Sequence, residues 1–213
     1  ESFYVLKEDN ITRHGIYEKY YGGPSYLPKK KIESGFYKDG AKDGIWTQYN
    51  YFNEFAEGIG SYANNSRIGI WTFYKAKDTV EQQYNYTTKE LLQFKKDTAK
   101  YLVVNGSDTV EIAMDRPPIC IGGSVLISRT LMYNLYYPDE ARENNWQGRV
   151  IVAILVDNLG NVSKPWIKQS VAKVIDEEAI RVVNLLDAQW LPGIINGKAV
   201  TSIMTIPITF RLE

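Results

Sequence analysis

The 213 residues contain one cysteine, Cys120, and one histidine, His14. A lone cysteine excludes a disulfide within the chain. A lone pair of this kind also excludes a zinc site of the usual Cys and His type, so a metal would have to rest on carboxylates. A Ser-His or Cys-His nucleophile would have to recruit His14, which lies in a tyrosine-rich segment far along the sequence from Cys120. No run of about 20 apolar residues reads as a membrane-spanning helix. Charge of neither sign is in excess, 25 Lys and Arg against 25 Asp and Glu, so no global field favours nucleic acid or an anionic membrane. There is no basic-then-apolar leader, and the first residue is Glu1 rather than Met, as in a processed or truncated product. These absences argue against an enzyme, and no catalytic, metal or cofactor-binding residue is assigned.

Aromatic residues and glycine are plentiful, with 16 Tyr, 5 Trp and 16 Gly, and they recur with a period. "GFYKDGAKDGIWTQY" (35–49) aligns without a gap on "GSYANNSRIGIWTFY" (60–74), and "HGIYEKY" (14–20) is a weaker copy with the same Gly-Ile-aromatic core. Within a unit, an aromatic strand meets Asp39-Gly40 or Asn64-Asn65 and then a second strand, which is a hairpin signal because these residues reach positive φ at little cost. One hairpin cannot bury its own aromatic face, so successive hairpins should stack or join into an elongated sheet. The unit resembles the MORN-like repeat over roughly residues 12–86. Tyr37, Trp46, Tyr49, Tyr62, Trp71 and Tyr74 then have two readings, stacking between hairpins or an exposed surface for lipid, glycan or protein. Lys29, Lys30 and Lys31 beside the repeat read as a solvated loop.

The pattern fades after residue 87, and Asn105-Gly106 followed by Pro117-Pro118 reads as a turn and an extended linker. The expected organisation is an all-β hairpin domain over 1–100, a linker over 101–117 and an α+β domain over 118–213, with the boundary near 115. In the last of these, Pro138 before Asp139 and Glu140 opens a short helix to about Asn145. Residues 149–157 form an almost wholly apolar strand, "DNLGN" (157–161) a turn, and 163–170 the returning strand. Asp176 reads as the N-cap of a second helix whose apolar stripe is Ile175, Ala179, Val182, Val183 and Leu186, with Glu177 and Glu178 complementing its dipole. Pro192-Gly193 and Asn196-Gly197 are turn dipeptides. The last strand runs from Val200 to about Arg211 and turns Ser202, Met204, Ile206, Ile208 and Phe210 toward the helices. Pro207 within it marks an edge strand, open to strand addition by another chain.

The order helix, strand, strand, helix, strand, with "PICIGG" (118–123), "YPDEAR" (137–142), "GRVIVAILVDNLGNV" (148–162), "DEEAIRVV" (176–183), "WLPGIINGKAV" (190–200) and "IPITFRL" (206–212), resembles the C-terminal domain of the TonB energy-transducer family. The resemblance implies a periplasmic or outer-membrane-associated module that captures an extended peptide, such as a segment of a TonB-dependent outer-membrane receptor, by adding it to the sheet edge. On this chain that edge would be Val200, Thr201, Ser202, Ile203, Met204, Thr205 and Ile206. Pairing of the same edge with a second copy would instead give a homodimer.

Overall fold

A computed structural model describes residues 1–5, 11–21, 28–96 and 98–212. The chain divides into two compact units, Glu1–Lys95 and Lys96–Glu213. Among the described residues no helix is long and apolar enough to cross a membrane.

The first unit is one antiparallel meander in which spatial order equals chain order: β1 (Ser2–Val5), β2 (Arg13–Tyr21), β3 (Lys30–Lys38), β4 (Ala41–Tyr49), β5 (Ala56–Ala63), β6 (Ser66–Ala76), β7 (Thr79–Asn85) and β8 (Glu90–Phe94). Asp39-Gly40 joins β3 to β4 with φ of 48° and 80°, and Asn64-Asn65 joins β5 to β6 with 48° and 66°. Two left-handed residues give the tight loop whose twist suits flanking strands. The hairpins join edge to edge, with Trp46 opposite Gly60 across the β4–β5 pairing. Each repeated indole lies flat on a glycine of the preceding strand. A Cβ on Gly35 would stand 2.2 Å from the Trp46 ring, and one on Gly60 would stand 2.2 Å from that of Trp71. Each indole N–H donates to a carbonyl at 3.1 Å, Trp46 to Phe36 and Trp71 to Ser61.

The second unit contains β9 (Lys100–Asn105), β10 (Asp108–Ala113), β11 (Ile119–Cys120), α1 (Gly123–Asn134), α2 (Asp139–Glu143), β12 (Gly148–Val156), β13 (Trp166–Gln169), α3 (Lys173–Val183), β14 (Trp190–Leu191), β15 (Gly193–Ile195), β16 (Lys198–Val200) and β17 (Ser202–Phe210). Its main sheet is antiparallel in the order β10-β9-β17-β12-β13, beside two short pairings, β11-β14 and β15-β16. The expected helix, strand, strand, helix, strand order is carried by α2, β12, β13, α3 and β17. Val150, Val152, Ile154 and Val156 of β12 pack with Ile206, Ile208 and Phe210 of β17 under Ile175, Ala179 and Val182 of α3.

Several local expectations change. The span 101–117 is not a linker, because Lys100–Asn105 and Asp108–Ala113 pair as a hairpin and β9 joins the main sheet; the division between units accordingly falls at 95/96 rather than near 115. Helix α1 was not anticipated, since its N-cap is Gly122, with φ of 107°, and no side chain caps it. Pro138 is the extended N-cap of α2, which is confined to Asp139–Glu143. Asp176 is not the N-cap of α3: Ala172 is, and the Asp176 carboxylate reaches back to accept from the Val171 N–H and the Ser170 hydroxyl. The last strand starts at Ser202, and Val200 belongs to β16, opposite Gly193.

Candidate functional site

Backbone direction decides which side of β17 can accept a strand. The Val104 N–H donates to the Thr201 carbonyl at 2.9 Å, and Ser202 and Ile203 lie opposite Val103 and Leu102 of β9. On the other side, Leu155 of β12 faces Ile203 but directs its own N–H and carbonyl away, to Ser163. Alternation along the strand therefore points the peptide groups of Met204, Ile206 and Ile208 at β12, and those of Thr205, Pro207 and Thr209 at the side where β9 lies. Pro207 lacks its N–H at a position that owes no ladder bond to β12 and that lies beyond the positions paired with β9, so no ladder bond is lost.

The expected free edge is corrected by this topology. Val200 is in a different pairing, while Thr201, Ser202 and Ile203 are covered by β9, so Met204, Thr205 and Ile206 alone of the expected set lie beyond it. There the pairing with β9 ends, and a groove of about 370 Å³ is lined by Lys100, Leu102, Glu111, Lys168, Ile203, Met204, Thr205 and Pro207. Of Met204, Thr205 and Ile206, Thr205 carries both a donor and an acceptor on the side away from β12, beyond the positions paired with β9. Sequence reasoning missed β9 as part of this edge; the Asn105-Gly106 turn signalled a hairpin there, but nothing in the hairpin's own residues pointed to β17.

The acidic cluster of α3 also differs from expectation. Glu177 is exposed, but the Glu178 carboxylate is buried. It accepts from Arg181 at 2.6 and 2.8 Å and from the Tyr136 backbone N–H at 3.0 Å. Arg181 in turn donates to the Asn134 carbonyl at the end of α1. The hydrogen bond to Glu178 is the main reason the guanidinium pKa is raised. This network fastens α3 to the segment between α1 and α2.

The six repeat aromatics do not form one surface. Trp46, Trp71 and Tyr37 are buried in a single cluster, and Tyr49, Tyr62 and Tyr74 are half-buried. Lys42 stands 3.8 Å from the Trp46 ring centre and Arg67 4.7 Å from that of Trp71, a repeated cation position not read from the sequence. The outward residues are instead the isoleucines of the Gly-Ile-aromatic core, Ile16, Ile45 and Ile70, all exposed. His14 pairs with Asp39 at 3.1 Å in the first unit, and Cys120 is buried in the second.

Residues 133–212 match the family described as Gram-negative bacterial TonB protein C-terminal. No curated protein and no solved structure matches the chain. The matched residues take in α2, β12, β13, α3 and β14 to β17, whereas β9 and β10 precede them. That family is a periplasmic, envelope-associated protein-interaction domain, and it is non-enzymatic.

Proposed function

We propose that this protein is a non-enzymatic binding module of the bacterial cell envelope, in the periplasm or at the outer membrane. Its second unit captures an extended peptide, such as an outer-membrane receptor segment, by adding it as a strand to β17 in the manner of the TonB C-terminal family. The observation that supports this reading best is the side of β17 beyond Ile203, where no pairing with β9 is formed and alternation turns the Thr205 N–H and carbonyl away from β12. Main-chain hydrogen bonds supply affinity in strand addition, and pockets for alternate side chains supply selectivity.

The orientation of Thr205 dictates the test. Met204→Pro would strip a bond from the β12 ladder and confound binding with folding. Thr205→Pro removes a donor on the open side alone. It is expected to weaken binding of an extended Thr/Val peptide by tenfold or more, read by fluorescence anisotropy, with little change in thermal unfolding. Undiminished binding by a folded Thr205→Pro variant would sink strand addition at this edge.

A further inference from the structure

We infer that β9 is a built-in competitor for the strand-accepting side of β17, and that a partner strand gains the full edge by displacing it. This rests on the reading of β17 as the capturing strand.

The two neighbours of β17 hold it unequally. β12 pairs along the whole strand, from Gly148 opposite Phe210 to Val156 opposite Ser202. β9 meets it at Val103 and Leu102, with the Val104 N–H donating to Thr201. The other face of that contact is self-sufficient, since β9 and β10 pair over their entire length, from Lys100 opposite Ala113 to Asn105 opposite Asp108. Every residue of β10 is exposed, Val110 and Ile112 among them. The hairpin is thus a complete two-stranded piece attached to the sheet along a short seam.

Its base is fastened elsewhere. Asp115 donates to the Ile194 carbonyl at 2.9 Å, and Arg116 bridges to Ile194 in both directions. A hairpin fixed at residues 115–116 and held to β17 along residues 201–203 can pivot as a unit. Removing it would extend the open side from Thr205 and Thr209 back through Ile203 to Thr201, enough for a strand of typical length. Because β9 and the incoming strand use the same peptide groups, apparent affinity equals intrinsic affinity scaled by the fraction of molecules with the hairpin displaced. β9 and β10 also lie outside the residues that match the family, so the competitor is an addition to the matched fold.

The register supplies the test. Val103 and Ser202 face each other between hydrogen-bonded positions, where cross-strand Cα atoms approach closely enough for a disulfide. A Val103→Cys/Ser202→Cys pair locks the hairpin when oxidised and releases it when reduced. Val104→Pro removes the one N–H that donates to Thr201 and leaves the bonds to β10, which belong to the alternate residues. The probe is a fluorescein-labelled seven-residue peptide of alternating Thr and Val, titrated into the full chain. The locked form is expected to bind roughly tenfold more weakly than the same protein reduced, and Val104→Pro several-fold more tightly than the parent. Equal binding by all forms would mean that the peptide sits at Thr205 and Thr209 without moving β9, which overturns this inference and leaves strand capture standing. No binding by any form would overturn both.

Discussion

At the residue scale, the repeat divides its Gly-Ile-aromatic core into an inward and an outward half, and substitutions should separate the two. Trp71 is completely buried, stacked on Gly60 and hydrogen-bonded to Ser61. Trp71→Ala is expected to cost about 3–5 kcal/mol by the lost contacts and the cavity left behind. Ile70 next to it is 51 % exposed, so Ile70→Thr should change stability by no more than about 0.5 kcal/mol. Urea unfolding of the two variants checks the contrast, and a large loss from Ile70→Thr would show that this face is covered. Glu178 makes the same point about context. From the sequence it reads as a dipole partner for α3, yet what buries it is an Arg181 three residues on and a Tyr136 amide 42 residues away. Glu178→Ala leaves that amide without its acceptor, and a loss of about 1–3 kcal/mol is expected. The Arg181 partner is 44 % exposed in its side chain, which keeps the figure below that of a fully buried pair. Thermal unfolding would reveal it, and an unchanged midpoint would mean the network contributes nothing.

At the scale of elements, the turns were legible and the long-range pairings were not. The Asp157–Asn161 turn shows why a turn can be read locally. The Asp157 carboxylate accepts from the Asn161 side chain and from the backbone N–H groups of Leu159 and Asn161. These bonds, that from the Asn161 side chain first, hold its pKa below the ordinary carboxyl value. A depressed folded value means the stabilisation is complete above the unfolded carboxyl's pKa, about 3.9, and is lost as pH falls through the folded one. The Leu159 and Asn161 amide resonances should therefore titrate below the ordinary carboxyl range, and Asp157→Asn should abolish that titration; a midpoint at or above the ordinary value would refute the account. Gly160 completes the turn with φ of 88°, and a Cβ there would lie 2.4 Å from the Trp190 carbonyl oxygen, so Gly160→Ala should cost about 1–3 kcal/mol. By contrast, β9 could not be placed from its own residues. Asn105-Gly106 was readable as a turn, but β10 is exposed on both faces and carries no burial rhythm. The partner strand of β9 also lies about a hundred residues later in the chain. β17 is no edge strand as a whole, since β9 covers its start, yet Pro207 does stand on the stretch beyond Ile203 where no pairing with β9 is formed.

At the scale of the whole molecule, the two units divide the sequence by the kind of order they use. The first grows by repetition, each hairpin pairing with the next, so its period appears as soon as the sequence is laid against itself. The second is ordered by crossing connections: β17 lies between β9 and β12, and α3 covers the face those strands share. Its helices and apolar strands can be read from pattern, but which part of β17 stays unpaired depends on which distant strand arrives beside it. The groove is lined wholly by residues of the second unit, from Ala99 to Pro207, and that unit has a core of its own. If capture of an extended strand is the function, residues 98–213 expressed alone should bind the Thr/Val peptide within about twofold of the full chain's affinity, since the main-chain groups that carry it are all present. Anisotropy titrations of the two proteins side by side decide the matter. A tenfold loss in the shorter protein, with its circular dichroism intact, would assign part of the recognition to the repeats, and the outward isoleucines Ile16, Ile45 and Ile70 would be the first residues to replace.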